Sequence, residues 1–461
     1  MSFTSLYLTW YNFYGDNMSK KRYSRKTRIK YTIRRIIFLL IICLIIYLIY
    51  SIINGLFKPK NVIIETPQNN NSNDLSYDIV STSESDSDVI DTIFMEGLSE
   101  KEYKSILDYK PTLIESNNKY SFVNYDFERM MHYSELSDLY KSLNNSDIVN
   151  LYVIGKSVDG RDIYGIEIGK GKDVLFIDAN IHAAEVATTL ILTRFLTEIV
   201  NDYENDTSNI KSLLNGVKIA SIPCINPDGY EIYNYGIESL NNKNLWVYQN
   251  SSLLNLDNIK SNANGVDLNR NFPTQNEGLY YKGYNLISNT SIEKTTKSGK
   301  YFNGYSSASE PETKASMYFM LKHYKNTYAY INLHSQGRVI YAGKPNLSSS
   351  FNDLTVSFAN KVSKINGYKV HGLSSEEVGE GNDGSATDFM AELANGFKFS
   401  TKTGRLSSSK YKDNNPSFVY KYPVITMETM KTWTKDPSYF KTEYYDFGLR
   451  TLFYKLLSKD F

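Results

Sequence analysis

Cysteine is scarce in this chain, and the shortage excludes something. Two cysteines among 461 residues exclude a fold stapled by disulfides. Cys43 sits inside a hydrophobic run and Cys224 follows a predicted buried strand, so the two are not suited to bridge each other. A secreted animal protein of this length usually carries disulfides. A cysteine-poor bacterial protein fits better, and the abundance of Tyr, Asn, Ile and Lys suggests an AT-rich, low-GC Gram-positive source. A basic surplus is missing from most of the chain. Nine of the 51 Lys and Arg residues lie between Lys20 and Arg35, while Asp16 is the only acid before Lys58, so the remainder is net acidic. That excludes nucleic acid as a partner of the main domain, which would need a basic footprint. No internal repeat is evident.

What is present begins with an uncharged run of 18 residues at 36–53, IIFLLIICLIIYLIYSII, extending to Phe57 with Asn54 and Gly55 interrupting. At about 1.5 Å per residue this length crosses a hydrocarbon core of about 30 Å. A cleaved signal peptide would have a shorter apolar region and a small-residue cleavage site, and none follows here. The basic cluster on the N-terminal side places residues 1–35 in the cytoplasm and the rest outside. The expected organisation is therefore a basic cytoplasmic tail at 1–35, a transmembrane signal anchor at 36–57, an extracellular stalk at 58–119 and a globular domain at 120–461. That is a single-pass protein of the cell membrane with its main domain extracellular. The stalk is polar and acidic, with NNNSND and STSESDSD, and reads as flexible. Residues 100–119 read either as a short leading helix or as part of it. Residues 1–17 look unlike the basic stretch that follows, and Met18-Ser-Lys-Lys makes a conventional start.

From residue 120 the pattern is α/β. Helical spacing covers 134–143, and strands are predicted at 149–154 and 162–168, joined through Asp159-Gly160. VLFID at 174–178 is apolar enough for a strand buried on both faces, and a helix follows over 185–200. Further strands are expected at 217–223, 328–333 and 424–427. Ser309 with Glu312 suggests a capping box for a helix ending near Tyr324. The expected fold is one α/β domain with a central mixed, mostly parallel sheet flanked by helices. Its polar motifs fall just past the ends of apolar strands, where open α/β sheets place ligand crevices.

Two of the five histidines stand in such places, His182 in IHAAE and His334 in NLHSQG. His182 and Glu185 are three residues apart and His334 lies far downstream. This is the spacing of a zinc site with three protein ligands and an open fourth position. One HxxE pair alone arises often by chance on a helix face. Here it is accompanied by NPDGY at 226–230, GVDLNRNF at 265–272, and Glu428 inside the apolar run VITMET. A strand with one carboxylate among apolar neighbours is odd unless that carboxylate faces a cleft.

HxxE, NPDG, GVDxNRN, a lone His after a strand and a late Glu, in that order over about 120–461, resemble the zinc carboxypeptidase family, of which carboxypeptidase A is the familiar member. The wording LHSQG-x-VIY, with SEPET at 309–313, is similar to the bacterial branch that cleaves peptidoglycan stem peptides. The resemblance implies one Zn2+ per chain, held by His182, Glu185 and His334. It implies that Asp267 holds a ligating imidazole through its other ring nitrogen. It further implies that Glu428 is the catalytic base acting on water beside the metal. Asn269 and Arg270 match the pair that grips a substrate carboxylate, a task suited to the planar guanidinium fork.

Two departures from the family pattern stand out. The family's oxyanion arginine is replaced in the stretch Ile259-Lys260-Ser261-Asn262, where Lys260 can supply the charge without the fork. The family's mobile tyrosine is missing before GSATD at 384–388, where the chain reads GLSSEEVGEGND. Thr387 aligns with the floor of the specificity pocket and selects neither a basic nor a large aromatic side chain. The expected function is hydrolysis of a peptide bond next to a carboxylate-bearing residue, in peptidoglycan stem peptides at the bond from D-glutamate to a diamino acid. One alternative is a carboxypeptidase trimming proteins or peptides. Another is an inactive module that holds cell-wall peptides, against which the intact Glu428 argues.

Overall fold

Alternation along three apolar strands builds the centre of the molecule. The computed structural model describes residues 98–207, 209–274, 297–344, 347–371, 384–402, 404–407 and 422–460. Their strands are β1 (Thr112–Leu113), β2 (Val149–Lys156), β3 (Asp162–Ile168), β4 (Asp173–Ala179), β5 (Val217–Ile222), β6 (Thr327–Ser335), β7 (Val339–Ala342), β8 (Lys369–His371), β9 (Lys398–Ser400), β10 (Arg405–Ser407) and β11 (Val424–Thr429). Nine of them form one mixed sheet in the order β1-β2-β3-β5-β4-β6-β11-β7-β8, and β9 pairs with β10 apart from it. The central run β5-β4-β6-β11 is parallel throughout. Antiparallel pairs flank it on both sides.

Successive side chains of a strand point to opposite faces, and the two faces are packed differently. Leu175, Ile177 and Ala179 of β4, Ala329, Ile331 and Leu333 of β6, and Ile425 and Met427 of β11 all enter one core. Helices Tyr133–Leu143, Val186–Glu204 and Leu449–Ser458 cover it. Full burial of each such aliphatic side chain contributes roughly 1.5–3 kcal/mol. The opposite face starts apolar, with Val174, Phe176, Tyr330 and Val424 packed against Phe319 and Met320 of helix Pro311–His323 and Phe389 of helix Ala386–Ala394. It then turns polar towards the carboxyl ends: Phe176 gives way to Asp178, Tyr330 to Asn332 and His334, and Val424 to Thr426 and Glu428. Parallel register aligns these changes, pairing Asp178 with Asn332, Thr426 with Asn332, and Glu428 with His334.

The NPDG motif serves the scaffold. Asn226 caps helix Pro227–Tyr235 by accepting from Gly229 N, with Pro227 opening the helix as its fixed φ favours. Asp228 is fully buried and accepts from Ser157 Oγ at 2.7 Å, Asp159 N at 2.9 Å and Arg161 Nη1 at 2.7 Å. It ties the β2–β3 turn to helix Pro227–Tyr235.

Several sequence expectations shift. β6 runs to Ser335 and β11 to Thr429, so His334 and Glu428 lie inside the last residues of their strands rather than beyond them. The capping box at Ser309 does not form. Glu310 is the N-cap and Pro311 the first helical residue, which puts Glu312 one position short of where a box needs it. Its carboxylate accepts instead from Val158 N and Asn262 Nδ2. Residues Glu100–Asp108 form a helix capped by Ser99, with Tyr103 and Ile106 buried.

The expected placement in the cell membrane, with an extracellular main domain, is corrected. No helix among the described residues is long and apolar enough to cross a membrane. The longest, Val186–Glu204, has 19 residues but carries Arg194, Glu198, Asp202 and Glu204 and packs on the sheet. The stretch 36–57 lies outside the described residues, as do 1–35 and 58–97, and no observation assigns the domain to either side of a membrane.

Removing Asp228 takes away one of the two carboxylates paired with Arg161, leaving Asp159 and the Ser239 carbonyl. Asp228→Ala is therefore expected to cost about 3 kcal/mol, measured as a lower midpoint in denaturant unfolding with an unchanged slope.

Candidate metal centre

His182 follows β4 on a turn that the backbone fixes from two sides. Ala183 N and Ala184 N donate to the carbonyls of Lys260 and Ile259 at 3.3 and 2.9 Å, and Asn226 Nδ2 donates to Ile181 O at 3.3 Å. Glu185 is the N-cap residue of helix Val186–Glu204, and β6 delivers His334. The three side chains are buried, and one ligand atom from each lies within 4.8 Å of the others. His182 Nδ1 is 2.8 Å from Glu185 Oε1, and His334 Nδ1 is 2.9 Å from Glu185 Oε2. Glu185 Oε2 and His334 Nδ1 are buried yet make no well-formed hydrogen bond. Such unmatched polar atoms need a partner, and a divalent cation between them supplies one. Two imidazole nitrogens and one carboxylate oxygen fit the donor set of a zinc site with three protein ligands.

The outer nitrogens face polar partners, that of His182 in an ion-pair contact rather than a well-formed hydrogen bond. His182 Nε2 lies 3.3 Å from Asp267 Oδ1, the arrangement expected for Asp267, whose carboxylate also accepts from Asn269 N and Tyr301 N. His334 Nε2 meets Asn332 Oδ1, and Asn332 in turn donates to Asp178. Electrostatics separate the two rings. Burial alone would lower the His182 imidazole, but Glu185 and Asp267 outweigh it and raise its pKa. Burial prevails at His334 and lowers it, against Glu185. Glu185 and Asp267 are held well below the usual carboxylate range, because the facing imidazoles overcome the cost of burial.

Glu428 is half-buried beside His334 in the β6–β11 register. Burial and the neighbouring Glu185 push its carboxyl up to about 8, against the pull of Lys260 and His182. A cation at the triad works in the opposite sense and favours the ionised form. The Lys260 backbone is pinned by Gly299 O at 2.8 Å. Its ammonium is near enough that its charge acts on Glu428, Asp267, His182 and His334. Asn269 Oδ1 accepts from Ala386 N at 3.0 Å, which leaves its Nδ2 3.5 Å from His334 Nε2. Arg270 Nη1 donates to Asn269 O at 2.7 Å. Thr387 Oγ1 lies 2.7 Å from Thr426 Oγ1, on the face of β11 that carries Glu428. The structure thus brings together all eight residues singled out from sequence. The stretch 372–383, where the family tyrosine is missing, lies outside the described residues.

Sequence reasoning missed Asp178, Tyr330 and Asn332. A signal was present. YINLH alternates polar residues onto the side chain face of His334, and VLFID ends an apolar strand with a carboxylate.

Comparison with known proteins agrees with this geometry. The sequence pattern of the zinc carboxypeptidase family matches residues 137–449. A curated relative, γ-D-glutamyl-L-diamino acid endopeptidase 1 of Lysinibacillus sphaericus, is 30% identical over 254 residues, 53% of this chain and 58% of that enzyme. Bovine carboxypeptidase O is 25% identical over 282 residues, 58% of this chain and 69% of its own length. The chain thus spans little more than half of the first of these relatives. The crystal structure of thrombin-activatable fibrinolysis inhibitor superposes with a TM-score of 0.50 at 21% identity, covering 71% of this chain and 72% of that one, and so shares its fold.

The full chain is expected to bind one zinc, and His334→Ala to abolish that binding in a chelator competition. Gly229→Ala tests the scaffold from outside. Its new Cβ would sit 2.5 Å from Asn226 Nδ2 and 2.6 Å from Ala183 Cβ, so it should disturb the His182 turn and weaken zinc binding without removing a ligand.

Proposed function

This chain belongs to the zinc carboxypeptidase family, and on that premise we propose that it is a zinc metallopeptidase acting on peptidoglycan stem peptides, at the bond from D-glutamate to a diamino acid. One observation carries the catalytic part: Glu428 stands in strand register beside His334 of a buried His-Glu-His triad. Zinc, when bound, polarises a carbonyl and makes water acidic enough to deprotonate near neutral pH.

The protein's own groups do the rest. Glu428 takes the proton of the attacking water and passes it to the departing amine. Lys260 places positive charge where the carbonyl oxygen becomes negative, as a point charge rather than a fork. Arg270 and Asn269 orient a carboxylate on the residue that leaves as amine, which fixes the scissile bond relative to Glu428. Asp267 keeps His182 in the tautomer that presents Nδ1.

The substrate follows from carboxylate capture. A diamino acid at the end of a shortened stem offers a free carboxylate close to the γ-glutamyl bond, and the Thr387–Thr426 pair leaves a neutral polar pocket floor beside it. The relative named for γ-D-glutamyl-L-diamino acid cleavage supports this reading. The relative named carboxypeptidase O favours release of C-terminal residues from ordinary peptides as the alternative. A catalytically silent binder is disfavoured, since a half-buried carboxylate pushed up to about 8 is costly and a binder has no use for the base.

Three measurements test this. Glu428→Gln should keep zinc and lose roughly 10²–10⁴-fold in kcat; near-normal turnover would remove it as the base. Arg270→Ala should lose roughly 2–5 kcal/mol of transition-state binding on a free-acid substrate, and less on the amidated one. Mass analysis of products from purified muropeptides should show cleavage after D-glutamate. Rapid release of C-terminal residues from L-peptides, with muropeptides untouched, would favour the alternative.

A further inference from the structure

The two imidazoles of the centre are oriented by different devices. His182 meets a carboxylate directly, Asp267. At His334 the neighbour of Nε2 is a neutral amide: Asn332 Oδ1 faces the ring, and Asn332 Nδ2 donates to Asp178 Oδ1. Asp178 is fully buried, and its second oxygen accepts from the Tyr330 hydroxyl at 2.7 Å. Register alone builds this line. Tyr330, Asn332 and His334 alternate onto one face of β6, and Asp178 of β4 is the register partner of Asn332.

The direction of the amide is then determined. The two oxygens of Asp178 accept from Asn332 Nδ2 and the Tyr330 hydroxyl, so Asn332 turns its NH2 towards Asp178 and its oxygen towards His334. That oxygen needs a donor, so Nε2 carries the ring proton and Nδ1 keeps its lone pair, on the side of Glu185. The Asn269 amide, 3.5 Å from Nε2, is too far to compete. Burying a carboxylate between β4 and β6 is expensive unless every lone pair is used. An apolar pair at 178 and 332 would pack the strands without that cost.

We propose that Asp178 and Asn332 are positioning residues for the metal: a buried carboxylate, relayed through a neutral amide, fixes the tautomer and ring orientation of His334 so that Nδ1 faces a divalent cation. The inference rests on the metal reading above and extends it to two residues outside the family motifs. Partners of ligating imidazoles set metal affinity as well as ring orientation. Because the charge reaches His334 through an amide, the effect is smaller than that of a carboxylate placed directly on the ring.

The test uses the full chain and reads zinc affinity by competition with a chromogenic chelator, beside the thermal midpoint of the metal-free protein. Asn332→Leu is expected to weaken zinc by roughly 10–100-fold. Asp178→Asn keeps the shape and an acceptor but loses the charge, so it should weaken zinc by about tenfold. It also serves as the readout if the leucine variant does not fold. Tyr330→Phe removes a donor to Asp178 without touching the relay, and should lower the metal-free midpoint while leaving affinity within about threefold of the parent. The Co2+-loaded spectrum should change in the first two variants and not in the third. Folded Asn332→Leu or Asp178→Asn that binds zinc as tightly as the parent overturns the proposal. So does a loss of affinity that follows the metal-free midpoint equally in all three variants, since that is a structural role. A parent chain that binds no zinc overturns the metal reading and this inference together.

Discussion

The parallel register of β4, β6 and β11 is the constraint on which the rest of the structure depends. With residues alternating between faces, a slip of one position would send His334 and Glu428 into the apolar core and bring Leu333 and Met427 to the cleft. The core prevents this. Ile177, Ile331 and Ile425 lie side by side on the covered face, and any slip would expose them. Hydrophobic packing on one side of the sheet therefore sets the geometry of the polar groups on the other. Strand pairing fixes His334 and Glu428 directly, while His182 and Glu185, on the turn after β4 and the helix N-cap, depend on their own hydrogen bonds.

Charge is the second organising element. Glu185, Asp267, Asp178 and Glu428 crowd acidic groups into a buried region, with Lys260 and Arg270 as the nearby cations. Such a group of carboxylates is repulsive unless positive charge is added. The response is visible in Glu428, which burial and the neighbouring Glu185 push up to about 8, whereas burial alone pushes Asp178 up to about 7 against its hydrogen bonds. A bound divalent ion would draw Glu428 back towards ionisation. In the proposed reaction Glu428, drawn towards its ionised form, would be able to accept the proton of water.

The supports of the centre come from segments distant in sequence. The turn carrying His182 is held by backbone hydrogen bonds to 259–260, and Asn226 ties it to the start of helix Pro227–Tyr235. Asn269 accepts from the first residue of helix Ala386–Ala394 and sets its amide 3.5 Å from His334 Nε2, beyond a good hydrogen bond. The proposed carboxylate grip therefore adjoins the candidate metal centre.

Much of this was legible in the chain itself. HxxE spacing with a distant His identifies a ligand set because zinc tolerates few donor types and geometries, and VLFID and VITMET identify buried strands because their composition suits little else. Local pattern fails where partners are far apart in sequence. Asn332 reads as an ordinary strand polar until β4 sets Asp178 opposite it, 154 positions away. Glu312 reads as a helix cap until Val158 and Asn262 claim its carboxylate. The membrane expectation came from hydropathy and flanking charge, and no helix among the described residues is long and apolar enough to carry it. Sequence by itself determined the class of fold and singled out the candidate ligands and base, because these depend on residue type and short spacing. The tertiary structure alone decided how each candidate ligand is oriented and which groups share a field, because those depend on register between strands far apart in sequence.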